Sequence, residues 1–158
     1  MSLSERIVGV EFRYPDYFVV GREKIREYAT AVKNDDRAFF DEDVAAELGH
    51  RGLPAPLTFT SVLGYKAQTA FFAHAGVGIT DMQIVQVDQV FKYAQPIFAG
   101  DRLYCDVSVD SVRQAHGTDI VVLKTIVTNE AGDVLQETYT TLAGRTGDGE
   151  EGFSDATA

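Results

Sequence analysis

A single cysteine, Cys105, stands in a chain of 158 residues. One thiol cannot close an intrachain disulfide, so a reducing compartment, the cytoplasm, is expected. Basic residues are few and scattered: 14 Lys and Arg stand against 24 Asp and Glu, a formal net charge of −10. With no basic cluster to neutralise a phosphate backbone, nucleic-acid binding is excluded as a function class. Long apolar runs are missing too. The segment richest in apolar residues, 57–75, is interrupted by Lys66, Gln68 and His74 and is too polar to insert in a membrane. The first ten residues have no apolar run behind a basic patch, so no signal peptide is expected. No internal repeat occurs, and no glycine-rich strand-to-helix loop of the kind that cradles nucleotide phosphates. The three histidines, His50, His74 and His116, fall at no spacing that suits a metal. No cofactor is therefore expected.

What the chain does contain is ample core material: 45% hydrophobic residues, with ten Phe and seven Tyr. That suffices for one domain, taken as residues 1–145. Residues 146–158 are rich in Gly and acid with little to bury, and read as a disordered tail. The front half has helical periodicity. Arg22 to Lys33 carries Ile25, Tyr28, Ala29 and Val32 on one stripe. Asp41 to Leu48 follows, with Asp41 as N-cap and Gly49 as stop. Pro54 and Pro56 stiffen an extended lead-in. Leu57 to Ala75 then reads as a long helix, apolar on nearly all sides, which other structure must wrap. The back half alternates like strands: Met82 to Tyr93, Leu103 to Val112, Asp119 to Asn129 and Val134 to Ala143. Asn129 to Asp133 closes a hairpin. One buried helix followed by antiparallel strands is an α+β pattern. Its economical solution is the hot-dog arrangement, a long central helix wrapped by a curved antiparallel sheet. Helices packed on one face of a sheet remain the alternative.

Three separated segments resemble the MaoC-like (R)-hydratase/dehydratase family of hot-dog proteins. Ala31 to Asp43 is similar to the family's Gly-Asp-x-Asn-Pro-[Leu/Ile]-[His/Tyr]-x-Asp stretch. Leu48 to Phe59 resembles its lead-in to the central helix. Gln89 to Leu103 resembles its strand and Pro…Gly-Asp turn. The likeness covers about residues 10 to 145 in order. Within the family it runs to the A-subunit type of the actinobacterial (3R)-hydroxyacyl-ACP dehydratases. Those subunits work as heterodimers with a catalytic B subunit in type II fatty acid and mycolic acid elongation.

The resemblance implies syn addition of water to an enoyl thioester, or its reverse, by an Asp and a His, with backbone amides polarising the carbonyl. Aligned on Asp41, the catalytic Asp position holds Asn34 and the His position holds Phe39. Asn34 cannot accept a proton at neutral pH, and Phe39 can do no acid–base work. The motif's Gly is Lys33 and its Pro is Arg37. The donating amide falls near Pro56, which has no N–H. Asp35 and Asp36, beside the vacated position, read as a solvated acidic turn. Cys105, on an apolar strand face, reads as inert packing.

These departures imply a non-catalytic, acyl-chain-accommodating subunit. Its expected partners are a catalytic hot-dog dehydratase subunit and an acyl carrier protein-linked acyl thioester, with a homodimer possible in isolation. Ser61, Tyr65, Gln68 and Phe72 fall at i, i+4, i+7 and i+11 on the long helix. Ser61, Tyr65 and Phe72, with Gln86 and Gln89 of the following strand, are the candidate substrate-binding residues. Two readings stay open beside this one: a homodimeric acyl-thioester binding module without catalysis, and an active homodimer using Asp35 or Asp36.

Overall fold

The computed structural model describes residues 2–80, 83–146 and 151–156. A short helix α1 (Leu3–Ile7) opens the chain, fixed by a capping box in which Ser2 and Glu5 satisfy each other's backbone N–H groups. Two short strands follow, β1 (Glu11–Arg13) and β2 (Phe18–Val19). Then come helix α2 (Arg22–Ala31), a 3-10 turn at Arg37–Phe39, and helix α3 (Glu42–Glu47). Asp41 caps α3 by accepting from the N–H groups of Asp43 and Val44, and Gly49 ends the segment at φ +87°, as expected from the sequence. The long helix α4 (Ser61–His74) starts four residues later than expected. Residues 57–60 form turns instead, with the Phe59 N–H on the Pro56 carbonyl.

After β3 (Val77–Ile79) come four long strands: β4 (Ile84–Tyr93), β5 (Arg102–Ala115), β6 (Thr118–Thr128) and β7 (Val134–Arg145). They pair antiparallel in the order β1-β5-β6-β7-β4, with β2 also on β5. Met82, expected to begin β4, lies outside the described residues. Asn129 and Asp133 close the β6–β7 hairpin by main-chain and side-chain hydrogen bonds. Helix α4 lies on the sheet: Leu63, Ala67, Phe71 and Phe72 share one buried cluster with Leu103, Cys105, Val107, Val121 and Leu123. Each Val, Leu or Phe among them contributes about 1.5–3 kcal/mol of transfer free energy. Residues 53–55 lie against 97–99, with the Ala55 N–H on the Ile97 carbonyl and the Ala99 N–H on the Leu53 carbonyl.

Two expectations need correction. Helix α4 is not wrapped on all sides, since Tyr65 is 64% exposed and Lys66, Thr69 and Ala73 are exposed beside it. One sheet reaches only one side of a helix. The loose tail is also corrected at residues 151–156. Phe153–Asp155 forms β8, paired antiparallel with β3. Phe153 is buried, its ring 5.4 Å from that of Phe72. Glycine makes this fit possible: a Cβ on Gly144 would stand 2.7 Å from the Phe153 ring. Arg6 latches the strand by pairing with Asp155 and donating to the Gly76 carbonyl. Composition hid the segment because one large apolar side chain among glycines and acids carries the attachment. Phe153→Ala should therefore cost about 3 kcal/mol. Urea unfolding checks this; a loose tail would give no change.

Candidate functional site

The loop between α2 and α3 carries Asn34 and Phe39, the positions that the resemblance aligns with the family's catalytic Asp and His. Lys33 takes φ +57°, a left-handed conformation suited to glycine, where the resembled motif has Gly. Asn34 is exposed, and its Oδ1 accepts from the Asp36 N–H at 3.1 Å. Asp36 caps the 3-10 turn by accepting from the Ala38 N–H at 3.0 Å. Its carboxylate is thus engaged in holding the loop, and both Asp35 and Asp36 are exposed. Phe39 is half-buried and packs against the core.

Phe39 also lines a cavity of about 410 Å³. The other walls come from Leu48, Pro54, Pro56, Leu57 and Ile97, with Asp36 and His50 also at the site. The Tyr93 hydroxyl donates to the Leu57 carbonyl at 2.7 Å, and burial raises its pKa. At the inner end stand Thr60 and Gln136, both buried. Gln136 Nε2 donates to Thr60 Oγ1 at 2.7 Å and to Thr138 Oγ1 at 3.3 Å.

From there a band of buried polar groups runs between α4 and the sheet. Gln68 Nε2 donates to Thr140 Oγ1 at 3.0 Å and reaches Thr125 Oγ1 at 3.5 Å. Gln89 Nε2 donates to Thr140 Oγ1, and Ser61 Oγ donates to Gln89 Oε1, each at 3.3 Å. The structure thus brings Ser61 and Gln89 together. Gln86 joins their side of the sheet because of a β-bulge between Gln86 and Asp88. Gln86 pairs with Leu142 and Gln89 with Thr140, two positions on one strand face, whereas strict alternation would set residues three apart on opposite faces. Tyr65 lies one turn beyond Ser61, on the exposed side of α4. Phe72 is corrected: it is 1% exposed, packed between Phe71 and Phe153 in the core. The stripe therefore rotates from open surface at Tyr65 into the interior at Gln68 and Phe72.

Gln136, Thr138, Thr140, Thr60 and Tyr93 were not singled out from the sequence. A signal existed, since Gln136, Thr138 and Thr140 alternate along β7. The opposite face carries Glu137, Tyr139 and Thr141, however, so neither face announces itself as the buried one. The remaining candidates stay apart from this site. His74 packs on Phe12 and His116 occupies the β5–β6 turn at φ +50°. Cys105 is fully buried, and burial pushes its thiol up to about 12, which removes it as a nucleophile at neutral pH. Among the described residues, no group of three or more His, Cys, Asp and Glu is placed to hold a metal ion. No helix among them is long and apolar enough to cross a membrane.

A long helix on one antiparallel sheet, with a motif-bearing loop beside the helix start, defines a hot-dog fold of the dehydratase type. The chain matches the FAS1-like dehydratase domain region over residues 6–138 and belongs to that family. It is 66% identical over 158 residues to a UPF0336 protein of Mycobacterium tuberculosis, covering 100% of both chains. Among solved structures, a chain of the C-terminally truncated HadBC (3R-hydroxyacyl-ACP dehydratase) complex of Mycobacterium tuberculosis is 48% identical. That match has a TM-score of 0.80 and covers 87% of this chain and 97% of that one. A MaoC-like dehydratase is 37% identical with a TM-score of 0.83, over 93% of this chain and 44% of that longer one.

The strain at Lys33 yields a direct test of the loop assignment. A non-glycine residue held in the left-handed region costs about 1 kcal/mol or more. Lys33→Gly should raise stability by up to about 1 kcal/mol in chemical denaturation, whereas glycine at an ordinary exposed position lowers it.

Proposed function

We propose that this chain is the non-catalytic, acyl-chain-accommodating subunit of a (3R)-hydroxyacyl-ACP dehydratase, paired in the cytoplasm with a catalytic hot-dog subunit. The observation that carries this reading is that Phe39 lines the cavity and Asn34 is exposed, at the positions that the resemblance aligns with the family's catalytic His and Asp. Neither side chain can move a proton at neutral pH. The partner's Asp and His would perform the elimination of water, and this chain would bind and orient the acyl group. The heterocomplex nature of the HadBC relative supports a two-subunit assembly.

Two physical features support pairing. Strand β4 ends the sheet, and ten residues of backbone on its outer side face no strand among the described residues. An open edge of that length is an aggregation hazard unless it is covered. Val85, Val87 and Val90 are exposed along it, and Leu57 and Tyr65 are exposed at α4 and just before it. Ser61, Tyr65, Gln86 and Gln89 would line the shared channel where α4 meets this edge. A fatty acyl tail gains about 0.8 kcal/mol for each CH₂ buried there. Carrier proteins of this type are acidic, so a subunit with net charge −10 leaves the main docking patch to the partner.

The isolated chain should show no enoyl-thioester hydration above background. Co-expression with the catalytic subunit should give a complex turning over at least about 10² faster, the usual contribution of acid–base groups. Enzyme-like turnover by the chain alone would overturn the reading, and Asp35→Asn and Asp36→Asn would then locate the base. In the reconstituted pair, Ser61→Trp would obstruct the channel at the Ser61–Gln89 contact. It should lower turnover of long acyl substrates by about tenfold more than that of short ones. An unchanged chain-length profile in an intact complex would remove Ser61 from the channel.

A further inference from the structure

The dehydratase reading places an acyl tail in the groove on the open side of α4, and the C-terminal strand β8 crosses the far end of that groove. We propose that Phe153, carried by β8, is the stop of the groove and sets the length of apolar chain that it accepts. The nature of the chain rests on the dehydratase reading, whereas the closure is built from this chain's own residues.

The groove can be followed residue by residue. It starts where Ser61 bonds Gln89. Along α4, Tyr65 and Thr69 stand exposed after Ser61. Along the sheet, Gln89 pairs with Thr140, Gln86 with Leu142 and Ile84 with Gly144. These positions share the face turned to α4, where Thr140 accepts from Gln68 and where Leu142 and Ile84 pack on the core. Gln86 is exposed and Leu142 half-buried, but Gly144, two residues on, is buried. Its cover is Phe153, 6% exposed, whose ring fills the space between Phe72 and Gly144. From Ser61 to Phe72 the helix advances eleven residues, about 16 Å. An extended octanoyl chain is shorter than that span, and an extended octadecanoyl chain is longer.

The strap has the build of a stop. Strand β7 leaves the end of the groove empty, because Gly144 has no side chain, and the strap fills it with a ring. Gly152 lets the strap lie close on β4, since a Cβ there would stand 2.8 Å from the Gln83 carbonyl oxygen and 2.9 Å from Ile84 Cγ1. Three main-chain hydrogen bonds hold the segment. The Thr80 N–H donates to the Gly152 carbonyl at 2.9 Å, the Gly152 N–H to the Arg145 carbonyl at 3.0 Å, and the Ala156 N–H to the Gly76 carbonyl at 3.1 Å. Arg6 of α1 adds its pair with Asp155. A tail that pressed further would have to displace a ring already packed on both sides, and overpacking a filled space is unfavourable. The ring meets the chain's methyl end with carbon alone, so the contact discriminates by length and not by polarity. Because the stop sits on a separate segment, its size can change while the groove walls on α4 and β4 stay as they are.

The test compares kcat/KM of the reconstituted pair for 3-hydroxyoctadecanoyl and 3-hydroxyoctanoyl thioesters. Phe153→Ala should raise the long-to-short ratio at least about tenfold, the scale on which apolar pockets tell chain lengths apart. Phe153→Leu, which keeps an apolar anchor for the strap, should raise it less, and Phe153→Trp should lower it. A merely structural ring would change both substrates alike and leave the ratio where it was, which would overturn the stop. A second measurement needs neither turnover nor a variant. Stearate carrying a nitroxide near its methyl end or near its carboxylate is titrated into the full chain, alone and in the pair, and followed by two-dimensional NMR. The methyl-end label should broaden the Phe153 and Gly144 amides, and the carboxylate-end label should spare them. Labels that broaden these amides equally, or in neither preparation, would also overturn the stop. Selective broadening in a chain that supports no turnover with any catalytic subunit would keep the stop and sink the dehydratase reading. Turnover with a ratio that no Phe153 substitution shifts would do the reverse.

Discussion

A single sheet can cover only one side of a helix, and most of this molecule's properties follow from that limit. Helix α4 buries Leu63, Ala67, Phe71 and Phe72 on the sheet and leaves Tyr65 and its neighbours uncovered. The sheet in turn stops at β4, whose outer edge is unpaired among the described residues. The uncovered helix side and the open strand edge meet where Ser61 bonds Gln89. An apolar opening at the border of an incomplete layer is where a second chain, a ligand, or both can be received.

Below that opening the core is not uniformly apolar. Burying an amide or hydroxyl without a partner costs about 1–3 kcal/mol, so each buried polar group here must be answered by another. Gln68 is answered by Thr140, with Thr125 at longer range, and Gln136 by Thr60 and Thr138. With the Ser61–Gln89–Thr140 contacts, the result joins α4, β4, β6 and β7 by directional bonds. An all-apolar seam would hold the layers equally well but would allow them to slide. A hydrogen-bonded polar seam fixes their register, at the cost of tolerating few substitutions.

The long elements were legible in the sequence because their periodicity is carried by many residues. Helices α2, α3 and α4 and strands β4 to β7 could be placed from alternation and caps, with errors confined to their ends. Short elements were not legible. β3 and β8 have three residues each, and their stability comes from pairing with distant chain and from Phe153 meeting Phe72, neither of which leaves a local pattern. Gln86 and Gln89 could not be placed on one face from spacing, since the bulge that aligns them is set by register with β7. Asn34 and Phe39 could be singled out only through the family resemblance, because a motif shows where a chain departs from it. The polar band was not, because threonine and glutamine are equally at home on a solvated strand face.

The course of the loop that carries Asn34 and Phe39 does not depend on acid–base side chains at those positions. Its course is set by the left-handed turn at Lys33, the Asp36 cap on Ala38 and the Asp41 cap on α3. None of these contacts uses the side chain of residue 39, and Asn34 adds only one hydrogen bond to the backbone of Asp36. Phe39 then gains apolar contact with the core, where a histidine would require a polar partner when desolvated. In the proposed reading, phenylalanine in place of histidine removes proton transfer and adds apolar wall to the cavity, while the backbone that frames it is held by caps that do not depend on the chemistry. On that reading the loop keeps the outline of a ligand site while the reaction falls to another subunit.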